Sequence, residues 1–257
     1  MLLAIDIGNT NLTLGLYRGK QLTHHWRMAT DHARMPDEYG LQILGLLEHS
    51  NCRPSELHGI CMASVVPPLT ERIRQACAQY LEKDILNIDH SIDLGLEILY
   101  ENPQGVGADR LADAVAVKTL YGVPACVVDF GTATTFDAIN ARGQYLGGAI
   151  APGIGIAAEA LTQRTSKLPT VELKRPPSVI GSNTPHAMQS GLLFGYVSLV
   201  EGMVARFRRE LGDQMKVIAT GGLAELVAGE TSVLEIIAPW LTLDGLRIIW
   251  EREQSHG

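Results

Sequence analysis

The sequence predicts an α/β protein of two similar lobes, each a mixed sheet flanked by helices, on three observations. Short apolar runs of strand length alternate with segments whose apolar residues recur at helical spacing. A strand–turn–strand–turn–strand unit near the N-terminus returns midway along the chain. The length, 257 residues, is what two copies of one small lobe require.

In order, Leu2 to Ile7 is an apolar run followed by the turn formers Gly8, Asn9, Thr10 and Asn11. Leu12, Leu14 and Leu16 then alternate with Thr13, Gly15 and Tyr17, so the pattern is strand, tight turn, strand. Arg18-Gly19-Lys20 makes a second turn, and Gln21 to about Thr30 returns as a third antiparallel strand. Asp37 to Glu48 carries Leu41, Ile43, Leu44 and Leu47 at helical spacing, Ile60 to Val66 reads as a buried strand, and Pro67-Pro68 opens a helix running to about Glu82. Tyr100 to Arg110 is a loop leading into a helix whose stripe is Leu111, Ala112, Val115 and Ala116.

The pattern then repeats. Ala125 to Val128 ends in Asp129, Gly131-Thr132-Ala133-Thr134 follows, and Thr135 to Asn140, the turn Ala141-Arg142-Gly143 and Gln144 to Ile150 complete the unit. At one constant offset Asp129 falls on Asp6, Gly131 on Gly8 and Thr132 on Asn9. Residues 1–120 and 121–257 are therefore expected as the two lobes. Gly153 and Gly155 read as a turn opening a helix, and Val217 to Val227 as strand, glycine turn and helix around Thr220-Gly221-Gly222.

Apolar residues make up 46% and charged residues 19%, ample for a folded core. The formal charge of −7 has the wrong sign for holding nucleic acid or an anionic membrane through a broad basic face. Pro176 to Val200 has no charged residue, but Ser178, Ser182, Asn183, Thr184, His186, Gln189 and Ser190 make it a buried or interfacial segment rather than a membrane span. MLLAIDIGNT has no basic leader, so cytoplasmic residence is expected. Cys52, Cys61, Cys77 and Cys126 form no CxxC pair and read as reduced, mostly buried thiols.

The chemistry concentrates in the two DxG turns. Glycine lets the backbone approach an anion, successive N–H groups with Thr or Asn side chains donate to phosphate oxygens, and the Asp holds a cation that offsets phosphate charge. A single DxGxT is most often an ordinary turn with an Asx hydrogen bond. The duplication favours a pair of turns gripping a polyphosphate. Asp109 and Arg110 fall in the first turn of a helix, where the acid suits the dipole and the arginine opposes it. A base held there is ionised but weakly basic. Phosphoryl transfer tolerates that, because its loose transition state asks mainly for alignment and charge stabilisation.

Together the motifs resemble the type III pantothenate kinases, within the actin-like, sugar-kinase and heat-shock-chaperone ATPase superfamily. The matching pieces are DIGNTN at Asp6 to Asn11, SVVP at Ser64 to Pro67, ENPQGVGADR at Glu101 to Arg110, DFGTATT at Asp129 to Thr135, GGAIAPG at Gly147 to Gly153, NTPHAMQSG at Asn183 to Gly191 and TGG at Thr220 to Gly222. The resemblance implies two duplicated ribonuclease-H-like lobes with ATP between them, a homodimer, and phosphorylation of the pantothenate hydroxyl on the way to coenzyme A. By motif, Asp6, Ile7, Gly8, Asn9, Thr10, Asn11, Leu12 and Thr13 would form the first phosphate turn, with Asp6 holding Mg2+ through water. Asp129 would bind a monovalent cation, K+ or NH4+, Thr132 would contact ATP phosphates, and Gly221 and Gly222 would lie by the adenosine. Asp109 would be the proton acceptor, while Tyr100, Gly107, Ala108, Asp109, Arg110 and Thr184 would line the pantothenate site, Thr184 from across the dimer interface.

Two other readings compete: a regulatory protein that keeps the ATP-binding lobes without turnover, and a kinase of the same superfamily with another hydroxyl or carboxylate substrate. Acidic residues at all three of Asp6, Asp109 and Asp129 favour an enzyme, and GVGADR favours pantothenate.

Overall fold

The computed structural model describes residues 1–256 except His90. The chain divides into two compact units, one comprising Met1–Leu96, Glu101–Ala116 and Leu241–Gly257, the other Glu97–Tyr100 and Val117–Trp240.

In the first unit, β1 (Leu2–Ile7), β2 (Asn11–Arg18) and β3 (Gln21–Ala29) form two successive hairpins. Next come α1 (Pro36–His49), β4 (Gly59–Ser64), α2 (Pro67–Leu81) and β5 (Ile85–Asn87). The sheet order is β3-β2-β1-β4-β5. Strand β1 pairs antiparallel with β2 across a tight turn and parallel with β4, which it reaches only by a long connection that includes α1. The strand expected to reach Val66 stops at Ser64, whose hydroxyl accepts from the Val66 N–H at 3.1 Å and turns the chain toward the proline-opened α2. Leu3, Ile5, Ile7, Leu12 and Leu14 from the strands pack with Tyr39, Ile43 and Leu47 of α1 and Leu69, Ile73 and Leu81 of α2 in one core.

Further along the chain, β6 (Glu97–Ile98) is followed by α3 (Ala108–Leu120). The second unit holds β7 (Ala125–Phe130), β8 (Ala133–Ile139), β9 (Gln144–Pro152), α4 (Ile154–Gln163), α5 (Thr184–Leu211), β10 (Lys216–Thr220), α6 (Ala224–Ala228) and β11 (Ile236–Ile237). Its sheet order is β11-β10-β7-β8-β9-β6. With β7 on β1, the two sheets share strand order, and the senses agree pair by pair: β7/β8 and β8/β9 are antiparallel, β7/β10 and β10/β11 parallel. Even the bulges correspond, between Leu16 and Tyr17 in one unit and between Ala138 and Ile139 in the other.

The boundaries differ from the expected 1–120 and 121–257. The last helix, α7 (Leu241–His256), belongs to the first unit. Gly245 allows it to sit on α3, since a Cβ there would stand 2.1 Å from the Ala112 carbonyl oxygen, and Trp250 covers Gly59 at the start of β4. Strand β6, in turn, adds to the second sheet beside β9. Residues 176–183 of the charge-free segment form an irregular, largely exposed stretch, and its remainder is the first half of α5, where Met188, Leu192, Leu193, Tyr196 and Val197 are buried. Among the described residues no helix is long and apolar enough to cross a membrane. All four cysteines are buried and free, and burial raises the thiols of Cys61, Cys77 and Cys126.

Candidate active site

Within the first unit the DIGNTN turn closes the β1–β2 hairpin. Asp6, half-buried at the end of β1, faces Thr13 in register, and Ile7 faces the buried Leu12. The Gly8 N–H donates to the Asn11 carbonyl at 2.9 Å, and the Thr30 hydroxyl donates to the Gly8 carbonyl at 2.6 Å. Thr30 also donates its N–H to the Thr10 carbonyl at 2.9 Å. Asn9, Thr10 and Asn11 are exposed on this braced loop. Thr30 is a contributor that sequence reasoning missed; only its place at the end of the third strand marks it.

The SVVP segment lies beside this turn. Ser64 pairs with Ile7 in the parallel ladder, and the Val65 N–H donates to the Ile7 carbonyl at 3.1 Å. Gly107 reaches the same place: a Cβ there would stand 3.3 Å from Val65 Cγ1 and 2.4 Å from Asp109 Oδ1. The Asp109 carboxylate therefore folds back over Gly107, and its Oδ1 accepts from the Arg110 N–H at 2.8 Å. Ala108 is buried, while Gly107, Asp109 and Arg110 are half-buried. The DIGNTN turn and the Gly107 segment thus both lie at the C-terminal ends of β1 and β4.

In the second unit three motifs converge on Asp129, at the end of β7. Thr220 pairs with Asp129 in the parallel ladder. Gly221, at φ +89°, then turns so tightly that a Cβ would stand 2.3 Å from Asp129 Oδ1 and 2.6 Å from the Phe130 carbonyl carbon. On the other side, a Cβ at Gly131 would lie 3.2 Å from Asp129 Oδ2. The third motif comes from Gly153, whose N–H donates to the Thr132 carbonyl at 3.1 Å and whose missing Cβ leaves room for that oxygen. Tyr196 donates its hydroxyl to the Pro152 carbonyl and holds this corner to α5. Thr132 and Gly222 are exposed. The sequence assigned Gly153 only to opening a helix; it also seats the DxG turn.

Two further expected residues lie in the second unit. Tyr100, 39% exposed, follows β6 and lies over Gly147. Thr184 is exposed in the first turn of α5, where the Asn183 side chain accepts from the His186 N–H at 2.9 Å.

The architecture matches solved structures. A Baf family protein from Campylobacter jejuni superposes with a TM-score of 0.61 at 22% identity, over 98% of this chain and 99% of that one. The inorganic polyphosphate/ATP-glucomannokinase from an Arthrobacter species gives 0.50 at 15% identity over 98% of each chain. The fold is thus that of the actin-like and sugar-kinase proteins. A family model for type III pantothenate kinases matches residues 2–206. A type III pantothenate kinase from Moorella thermoacetica is 50% identical over 252 residues, 98% of this chain and 99% of that protein. The chain belongs to the type III pantothenate kinase family, whose members are ATP-dependent kinases.

Proposed function

We propose that the chain transfers the γ-phosphoryl group of ATP to the hydroxyl of pantothenate, with Asp109 as proton acceptor. The observation that carries this is the position of the Asp109 carboxylate, folded over Gly107, which itself lies beside Val65 at the strand ends that also present the DIGNTN turn. The pantothenate oxygen bonds to the γ-phosphorus as the bond to the departing ADP oxygen breaks, and the hydroxyl proton passes to Asp109. Phosphoryl transfer passes through a loose transition state, so the contribution of Asp109 is chiefly alignment of the acceptor.

Asp6, Ile7, Gly8, Asn9, Thr10, Asn11, Leu12 and Thr13 are assigned to the phosphates, with Thr132 making a further phosphate contact and Gly221 and Gly222 flanking the adenosine. The donor chemistry suits hard cations. Asp6 supplies a carboxylate for Mg2+ through water, and Asp129 has one at a place where no Cβ intrudes from Gly221 or Gly131, a fit for K+ or NH4+. Magnesium when bound neutralises phosphate charge. Tyr100, Gly107, Ala108, Arg110 and Thr184 are assigned to pantothenate. A homodimer is proposed on the exposed apolar side chains Ile150, Val179 and Ile180, at 66%, 66% and 86% exposure. Reduced free cysteines and cytosolic ATP fit cytoplasmic residence.

The test is ADP release with pantothenate, with and without K+. Pantothenate-dependent release stimulated by K+ is expected; release with another hydroxyl compound but not with pantothenate would overturn the substrate assignment.

A further inference from the structure

The second unit contains a buried polar chain that ends under Tyr100. Asp137, in the middle of β8, is fully buried. Its Oδ1 accepts from the Tyr145 hydroxyl at 2.6 Å and its Oδ2 from the Thr135 hydroxyl at 3.1 Å. Tyr145, itself fully buried, is the β9 residue that faces Ile98 of β6, and its carbonyl accepts from the Leu99 N–H at 2.8 Å. Its ring meets the Tyr100 ring at a centroid distance of 6.5 Å and an angle of 60°, the tilted arrangement aromatic pairs favour. Gly147, at φ +102°, completes the seat, because a Cβ there would stand 2.7 Å from Tyr100 Cδ2.

We infer that Tyr145, anchored by Asp137, is a positioning residue that sets the Tyr100 ring as a platform for the acceptor substrate; this rests on the assignment of Tyr100 to pantothenate. Tyr145 and Gly147 bound part of the Tyr100 side chain, and 39% of the residue is exposed. The phenol–carboxylate bond fixes where the Tyr145 ring stands. A buried carboxylate is costly unless its acceptors are satisfied, and an apolar side chain at 145 would fill the core without that constraint. The use of Tyr with Asp137 at this point is explained by orientation. Thr135, the other donor to Asp137, faces Asp129 across the β7–β8 ladder, so the same network touches the strand pair that carries the cation-site carboxylate.

The experiment compares Tyr145→Phe, Tyr100→Ala and the double variant in the full-length protein, with steady-state kinetics in both pantothenate and ATP. Tyr145→Phe should raise KM for pantothenate about tenfold while KM for ATP and kcat change less than about twofold. Tyr100→Ala should raise KM for pantothenate further, and in that background Tyr145→Phe should add less than about twofold, because its effect passes through the ring already removed. Multiplying effects, or equal changes in the ATP and pantothenate constants, would assign Tyr145 a purely structural role and overturn the inference. A normal KM for pantothenate in Tyr145→Phe beside a raised one in Tyr100→Ala overturns the inference and leaves the site assignment standing. A normal KM in Tyr100→Ala overturns both. If Tyr145→Phe does not fold, Gly147→Ala displaces the Tyr100 ring without touching Asp137 and should give the same selective rise; its absence overturns the inference.

Discussion

Gly221 and Asp129 are in such close approach that only glycine leaves the carboxylate in place: a Cβ at 221 would stand 2.3 Å from Asp129 Oδ1. The residue also sits at φ +89°, where a side chain is strained regardless of space. Gly221→Ala should destabilise the fold by about 1–3 kcal/mol and displace Asp129. Activation by K+ should fall with it. Urea denaturation and activity across a K+ titration check both; unchanged K+ activation with lowered stability would place the cation elsewhere.

Asp109→Asn keeps the shape of the side chain and its acceptor oxygen for the Arg110 N–H, but removes the charge and the proton-accepting oxygen. Turnover should fall by on the order of 10²- to 10⁴-fold, with ATP affinity held because the DIGNTN turn is untouched. Coupled kinetics together with calorimetric titration of ATP measure the two separately. Wild-type turnover would refute the role of Asp109.

The hairpins, the duplication and the DxG turns were legible because they are local. Alternation from Leu12 to Tyr17 and turn residues at Gly8 and Gly143 depend on neighbours a few positions away. What was not legible depends on distant chain. Leu243, Leu246 and Ile249 mark α7 as amphipathic, but nothing local says which sheet takes it; Gly245 against Ala112 and Trp250 against Gly59 decide that in the fold. Strand β6 is only two residues long and exists because Gln144 and Tyr145 offer an edge. Of the candidate site residues, Asp6, Asp109 and Asp129 stand in motifs that can be read from residue types alone. Thr30 braces the turn through its hydroxyl and N–H, Val65 acts through its N–H and Gly153 through its N–H and missing Cβ; what each touches depends on chain far away in sequence.

Among the described residues Ile180 is the most exposed large apolar side chain, and it lies next to Val179 in the irregular stretch before α5. Ser178 and Ile180 bond to one another locally, with the Ser178 hydroxyl donating to the Ile180 carbonyl at 2.8 Å, so the display is built rather than frayed. Ile180→Asp should therefore shift the proposed dimer to monomer at micromolar concentration without lowering the melting temperature. Sedimentation velocity reads the first and calorimetry the second. A dimer that persists in the variant excludes this patch as the interface.

Tyr17 and Asp244 form the last testable pair. The Tyr17 hydroxyl donates to Asp244 Oδ1 at 2.8 Å, and Arg247 stands over the Tyr17 ring at 5.7 Å. Burial raises the Asp244 carboxyl above its ordinary value of 3.8, against the opposing pulls of the Tyr17 hydrogen bond and the Arg247 charge. A carboxyl raised in the folded state stabilises most below its unfolded pKa, where it is protonated, and that contribution is lost as pH rises through the folded pKa. Asp244→Asn, which cannot ionise, should lack this loss, so its stability relative to wild type should improve as pH climbs from about 4 through the raised value. Tyr17→Phe acts in the other direction: it removes a donor to the ionised form, pushing the carboxyl further up and costing about 1.5–3 kcal/mol near neutral pH. That cost should shrink toward acid pH as Asp244 protonates. Denaturant unfolding of the three proteins across this range measures it, and a Tyr17→Phe penalty that stays constant with pH would show that the bond does not depend on the charge of Asp244.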